Sequence, residues 1–464
     1  MAQITQIKVI PVVNTMPADL LTPLAVYLKL SANSKNSFLL ESVEGGTSLA
    51  RYSFIGAEPR DVIDGGQDSY EKLRRHFEFH FAECDAELPS FIGGAIGYLG
   101  FDCCEWFEPS LKTVKKDNGF CSFMLFDSIV AFDHAKQQIK IISLIYDDGT
   151  ESLQTQTEQA RERNSATRTK LESSIHSQLQ TFTEKHGEAI SNWSRQDFES
   201  AVSQIKDIIS AGECYQTVLS QCFTRPTDAP PTAIYRALRS LNPSPYMFLL
   251  QFDDKAVVGA SPEMLVRATG DNLEYRPIAG TRHRGKTVEE DDALAVEMRN
   301  DAKEVAEHMM LVDLGRNDLG RVAEFGSVKV DKLMLVEKYS HVQHLVSSLS
   351  AKLLDGKDCF DALAACFPAG TVSGAPKVRS IEIIRKLEPS ARGVYAGAVG
   401  YFDYTGNMDT CIAIRTIVLE NGVAKIQAGA GVVADSIPEK EFEETVNKAK
   451  VLMRAIDIAE SGEF

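Results

Sequence analysis

Residues 398–433, AVGYFDYTGNMDTCIAIRTIVLENGVAKIQAGAGVV, hold three apolar, β-branched runs, AVGYFDY, TCIAIRTIVLE and AKIQAGAGVV, that read as strands. A helical pattern over 439–459 follows, so sheet and helix alternate within one stretch of chain. The alternation extends upstream. Helical spacing over 193–212 puts Phe198, Val202, Ile205, Ile208 and Ile209 on one face, and strands follow at YMFLLQF (246–252) and AVVGA (256–260). Further helices are predicted over 301–314, 358–366 and 377–387. Residues 1 to 146 are sheet-rich, with the runs IKVIPVV, SFLLESV, CSFMLFDSIVAF and IKIISLIY punctuated by Gly45-Gly46 and Gly93-Gly94. Residues 147–191 turn polar and suit an exposed helical connector, leaving 192–464 as the third region. No repeat of 20 to 50 residues divides the chain.

Composition excludes several functions. With 464 residues the chain has ample core for a deep site, and its formal charge of -16 argues against a nucleic-acid partner. Nine scattered cysteines form no Cys-x-x-Cys pair and no zinc spacing, which points to a reducing compartment. The N-terminus MAQITQIKVIPVV lacks a signal-peptide pattern, and no apolar run reaches spanning length. The expectation is a cytoplasmic protein that binds neither nucleic acid nor membrane.

Two Glu-x-x-Glu pairs, Glu304/Glu307 and Glu441/Glu444, lie on predicted helices. Residues three apart share a helix face, so each pair directs two carboxylates one way. Such oxygen donors suit Mg²⁺. Alone, either pair reads as solvated surface; the motifs between them favour the metal. GTVSGAPK (370–377) is a turn able to present backbone N–H groups to an anion, but its spacing is not that of a nucleotide-binding loop. QAGAGVV (427–433) lacks the third glycine of a dinucleotide site and reads equally as a strand end or a ligand-facing loop. Arg415, inside the apolar strand 410–419, needs a carboxylate partner if buried. His308 and His341 read first as hydrogen-bonded structural residues, while His344 is the better acid–base candidate. Glu263 follows Pro262 after a strand, where it serves either a site or a helix start.

Taken together, RYSFIG (51–56), SPEML (261–265), RPIAGTR (276–282), residues 303–322, GTVSGAPK, YAGAVGYF (395–402), DTCIAIR (409–415) and QAGAGVV closely resemble the chorismate-utilising enzymes, in particular the anthranilate synthase component I branch. The resemblance covers nearly the whole chain with its motifs in the family's order. It implies one α/β (α+β) structure, β-sheets packed together as a sandwich with helices outside, so that the N- and C-terminal regions share a core. It implies conversion of chorismate and ammonia to anthranilate and pyruvate, with Mg²⁺ required. Carried across, Glu304 and Glu441 would ligate Mg²⁺ directly and Glu307 and Glu444 through water. Glu263 would be the general acid for the C4 hydroxyl, and His344 would assist elimination of pyruvate. Arg415 and Tyr395, with the N–H groups of Gly429 and Gly431, would hold the enolpyruvyl carboxylate. Thr371, Gly280 and Thr281 would line the ring pocket.

Two positions select among the family's reactions. Relatives that add water typically carry a lysine base where this chain has Gln216, and relatives that form a covalent adduct at C2 carry a lysine where it has Ala279. Both residues favour ammonia. Elements around Glu41 and Ser42 (LLES, 39–42) and Pro245, Tyr246 and Met247 (NPSPYM, 242–247) resemble the family's tryptophan-binding elements and imply feedback inhibition; their plain reading is a strand and a Pro-rich turn. The chain has no Gly-x-Cys-x-Gly glutaminase nucleophile, so glutamine-derived ammonia would come from a separate amidotransferase subunit, together forming a heterotetramer. Alternatives at this point are aminodeoxychorismate synthase component I, a non-catalytic tryptophan- or chorismate-binding regulator, and a metal-dependent hydrolase.

Overall fold

The computed structural model describes residues 6–42, 51–83, 85–113, 119–174, 187–339 and 342–463; the Gly45-Gly46 turn, Cys84 and His341 lie outside them. Among the described residues the strands build two sheets, of thirteen and ten strands. Successive side chains of a strand point to opposite faces, and here both faces are covered. In Tyr246–Phe252 of the larger sheet, Phe248 and Leu250 point between the sheets while Leu249 faces outer helices. In Cys121–Phe126 of the smaller sheet, Met124 and Phe126 fill the same inner layer while Phe123 and Leu125 face outward. Helices Pro23–Ser31, Pro231–Leu241 and Pro438–Ser461 close the outside of the larger sheet, Gln67–Phe79 and Cys359–Cys366 that of the smaller, and Lys377–Leu387 packs against Gln216–Pro226 of the larger. This is the expected mixed α/β architecture of packed sheets with helices outside. No helix among the described residues is long and apolar enough to cross a membrane.

Both sheets take strands from either side of residues 147–191. Met247 pairs opposite Glu41 in the larger sheet, and Val399 opposite Tyr98 in the smaller. The polar stretch itself holds a helix, Leu153–Glu172, capped by Ser152. Although most of that helix is solvated, its Asn164 is buried, accepting from Ser143 Oγ (2.7 Å) and donating to Val12 O (2.8 Å).

Four times among the described residues the chain steps between sheets within a few residues, first from Tyr52–Ala57 of the larger to Asp61–Gly65 of the smaller. Cys121–Phe126 belongs to the smaller sheet and Ser128–Asp133 to the larger; Lys255–Ser261 lies in the larger and Met264–Thr269 in the smaller; Met408–Ile412 lies in the smaller and Thr416–Glu420 in the larger. The expectation of one continuous strand through Arg415 is therefore corrected. Hydrophobicity does not fall at the step, because the strands on both sides of it are buried, and so apolar patterning cannot reveal it. Arg415 itself has φ +52°, a left-handed conformation uncommon outside glycine that often marks a functional position. The last two crossings run side by side: Ala260 N–H donates to Arg415 O and Ile412 N–H to Glu263 O, both at 3.1 Å.

Candidate active site

These paired crossings aim Glu263 and Arg415 into one cavity of about 370 Å³. The helices carrying the two Glu pairs, Ala302–Gly320 and Pro438–Ser461, supply further lining. Ile278–His283 supplies Gly280 and Thr281, and Val342–Lys352 supplies His344. Gln216, Thr371, Tyr395, Gly429 and Gly431 complete the predicted set facing this space. The glycines of the QAGAGVV run are required by close approach. A Cβ on Gly429 would stand 2.7 Å from the Tyr395 hydroxyl, and one on Gly431 would stand 2.3 Å from Gln216 Nε2. The run thus belongs to a strand, Val423–Val432, whose Gly429 and Gly431 face the cavity.

Electrostatics separate two proton-transfer groups. Burial pushes the Glu263 carboxyl up to about 8, so it holds its proton at neutral pH. The Thr371 hydroxyl lies close enough to oppose that shift, though without a well-aligned hydrogen bond, and the Ile278 backbone opposes it as well. His344 goes the other way. Burial lowers its pKa, and the nearby Arg415 charge adds to the effect, while its contact with Gly280 holds it back. Its Nδ1 lies 3.1 Å from Gly280 O and 3.0 Å from Thr281 Oγ1. A carbonyl can only accept, so Nδ1 carries the hydrogen and Nε2 keeps a free lone pair. One cavity therefore offers a protonated acid and a neutral base.

Arg415 makes no ion pair among the described residues, and burial lowers the pKa of its guanidinium. Tyr395 stands nearby, its phenol pushed up to about 12 by burial and so a hydrogen-bond donor at any ordinary pH. A half-buried cation lacking a carboxylate, beside a phenolic donor, has the chemistry to pair with a carboxylate.

Of the four predicted metal carboxylates, Glu307, Glu441 and Glu444 line the cavity. Glu304 is instead bonded by Arg282 Nη1 at 3.0 Å, with its other oxygen against Gly280. Among the described residues no three His, Cys, Asp or Glu side chains converge as a ready metal shell. The donor set nonetheless fits a hard cation. Burial pushes up the pKa of Glu307 and Glu441, and repulsion from Glu444 adds to both; a divalent cation would relieve both effects.

Sequence reasoning passed over three cations. Lys448 lines the cavity, donating to Gly429 O at 2.9 Å and pairing with Glu444 at 2.7 Å. Lys303 lines it too, 3.7 Å from Glu307. The third is Arg282. The four-residue spacing from Glu444 to Lys448 and from Lys303 to Glu307 was the available signal. His308 is structural as expected: buried, its Nε2 is 2.6 Å from Ser347 Oγ. Lys377 is engaged by Asp318 at 2.8 Å and Cys366 O at 3.2 Å rather than by any anion site.

A second cavity of about 260 Å³ lies along the seam between the N- and C-terminal regions. Because Asn36–Glu41 pairs with Tyr246–Phe252, Glu41, Ser42, Pro245, Tyr246 and Met247 all meet in its wall. Tyr52, Phe54 and Tyr401 add aromatic rings to a wall that also holds Arg51, Arg267, Glu274 and Asp409, and the Glu41 carboxylate is fixed by the Tyr235 hydroxyl and by Arg239 at 3.1 Å.

Residues 35–454 match a sequence family described as chorismate binding enzyme. A probable anthranilate synthase component 1 of Schizosaccharomyces pombe is 45% identical, covering 97% of this chain and 94% of that protein. The anthranilate synthase component 1 of Pseudomonas aeruginosa is also 45% identical, covering 96% and 94%. Among solved structures, anthranilate synthase component I from Streptococcus pneumoniae TIGR4 superposes with a TM-score of 0.77 at 36% identity, over 94% of this chain and 98% of that one. With a family match over most of its length and relatives this similar end to end, the chain belongs to the family of chorismate-binding enzymes.

Proposed function

We propose that this chain is the synthase component of an anthranilate synthase, forming anthranilate and pyruvate from chorismate and ammonia. The observation that carries the reading is the joint presence, in one cavity, of protonated Glu263, neutral His344 and unpaired Arg415. The naming of the most similar relatives supports it. Arg415 and Tyr395 hold the enolpyruvyl carboxylate. Ammonia adds at C2 as the C4 hydroxyl departs as water, protonated by Glu263. His344 Nε2 then takes the C2 proton while the C3–O bond breaks, and the released enolpyruvyl group is reprotonated to pyruvate. Gln216 offers no base to activate water, and Ala279 offers no amine to compete with ammonia at C2.

Glu441, Glu307 and Glu444, with Glu304 once released from Arg282, would hold Mg²⁺. When bound, that ion supplies charge neutralisation of the ring carboxylate and draws electron density from the ring. Ammonia would come from glutamine through a separate amidotransferase subunit in a heterotetramer, as component 1 in the relatives' names suggests. All eight described cysteines are free thiols, which supports a cytoplasmic setting. The test uses purified chain, chorismate, ammonium and Mg²⁺ at alkaline pH. Anthranilate fluorescence is expected with Mg²⁺ and not after chelation; no anthranilate would overturn the reading, and an aminated, non-aromatic product would favour aminodeoxychorismate synthase instead.

The second cavity supports feedback inhibition by tryptophan, an indole packing among aromatic rings with its α-amino group towards Glu41. Tryptophan at micromolar levels should slow turnover. Ser42→Phe, which fills the cavity, should raise the tryptophan concentration for half inhibition at least about tenfold, a loss of roughly 1.4 kcal/mol of binding. Equal inhibition of variant and parent would remove this site from the account.

A further inference from the structure

We propose that Arg392, locked to Glu388, is a positioning residue that holds the cavity wall in its substrate-binding shape by fixing Gln216, Thr371 and Tyr395 relative to one another. The proposal rests on the catalytic reading above for its substrate, but its geometry stands apart from it. Neither Arg392 nor Glu388 lines the cavity, and both are almost fully buried. Arg392 Nε and Nη2 donate to the two Glu388 oxygens at 2.9 and 2.6 Å. Its Nη1 donates to Val372 O and its Nη2 to Val218 O, each at 2.7 Å. Val372 follows Thr371, and Val218 lies two residues along the strand from Gln216, hence on the same face. The guanidinium carbon also sits 5.6 Å from the Tyr395 ring centroid, with Phe101 at 4.5 Å. Through Glu388 the clamp extends further: Oε1 accepts from Ser220 N at 2.8 Å and Ser220 Oγ at 2.7 Å, and Gln427, which lines the cavity, donates to that hydroxyl at 2.8 Å.

Buried ion pairs are poor sources of net stability, since apolar replacements of similar volume are often neutral or better. What this pair provides is geometry. The rigid fork of one guanidinium spans two carbonyls from separate segments and a carboxylate at once, which the single ammonium of lysine cannot do.

The experiment compares Arg392→Lys with the parent chain by steady-state kinetics, chorismate binding and thermal unfolding. The variant is expected to fold and to raise the chorismate KM about tenfold, roughly 1.4 kcal/mol of binding, with the ammonia KM unchanged. A merely structural role would reduce the amount of active protein, lowering kcat in proportion and leaving the chorismate KM in place; that result overturns the proposal. Should Arg392→Lys not fold, Glu388→Gln loosens the same clamp and is read the same way. If the parent itself makes no anthranilate, the catalytic reading fails separately. Calorimetric chorismate affinity of parent and variant then decides the clamp, equal affinity overturning it.

Discussion

Glu263→Gln is expected to lower kcat/KM for chorismate by about three orders of magnitude, within the range a positioned general acid supplies. The amide has nearly the size of the carboxyl and matches its charge when protonated, so the cavity keeps its shape and chorismate its KM. What is lost is the transferable proton. In the parent chain Glu263 titrates near 8, so its acid form prevails below that pH and declines above it. Rates expressed per unprotonated ammonia should therefore fall about tenfold per pH unit on the alkaline side, and the glutamine variant should lack this limb. Stability runs by the same linkage. A carboxyl raised from 4.5 to about 8 favours folding fully below pH 4.5 and loses that contribution as pH climbs through 8. The variant has no such loss, so its unfolding temperature should gain on the parent's with rising pH. A variant that unfolds early at every pH, or keeps parental activity, would remove Glu263 as the acid.

His344→Met is expected to change the product more than the consumption of chorismate. Addition of ammonia needs the acid and the carboxylate receptor, whereas aromatisation needs a base for the C2 proton, and thioether sulfur has no useful basicity. Anthranilate formation should fall at least about a hundredfold while mass spectrometry finds the aminated intermediate accumulating. The contact of Nδ1 with Gly280 O explains why a ring nitrogen suits this position: one nitrogen orients the ring and leaves the other free. Parental anthranilate yield from the methionine variant would count against the role.

Much of this was legible in the sequence, for physical reasons that differ by element. Strands such as Cys121–Phe126 and Tyr246–Phe252 are buried on both faces and announce themselves as continuous apolar runs. Their sheet membership is not announced, because a change of sheet leaves hydrophobicity unaltered; hence the misreading around Arg415. The Asn421-Gly422 hairpin, with both residues at positive φ, carried a readable signal that a second strand begins at Val423. At the site, Glu263, His344 and Arg415 stood out by motif. The different fates of Glu304 and Glu307 could not be seen, since spacing treats them alike. It is Arg282, two residues beyond Gly280 with its φ of +56° in the same strand, that takes the first and leaves the second facing the cavity.

The interleaving of the two sheets bears on how the protein is made. Gly94–Leu99 finds its sheet neighbour in Ala398–Asp403, and Asn36–Glu41 waits for Tyr246–Phe252. At a ribosome adding about 5–20 residues per second, the earlier strand of the first pair is synthesised roughly 15–60 s before its neighbour emerges. During that interval the nascent chain carries apolar strands with open edges, the kind of surface that templates aggregation. Slow, cool synthesis or holding chaperones should matter more for its yield than for a protein whose halves fold in turn, and an N-terminal fragment ending near residue 190 would emerge with neither sheet complete.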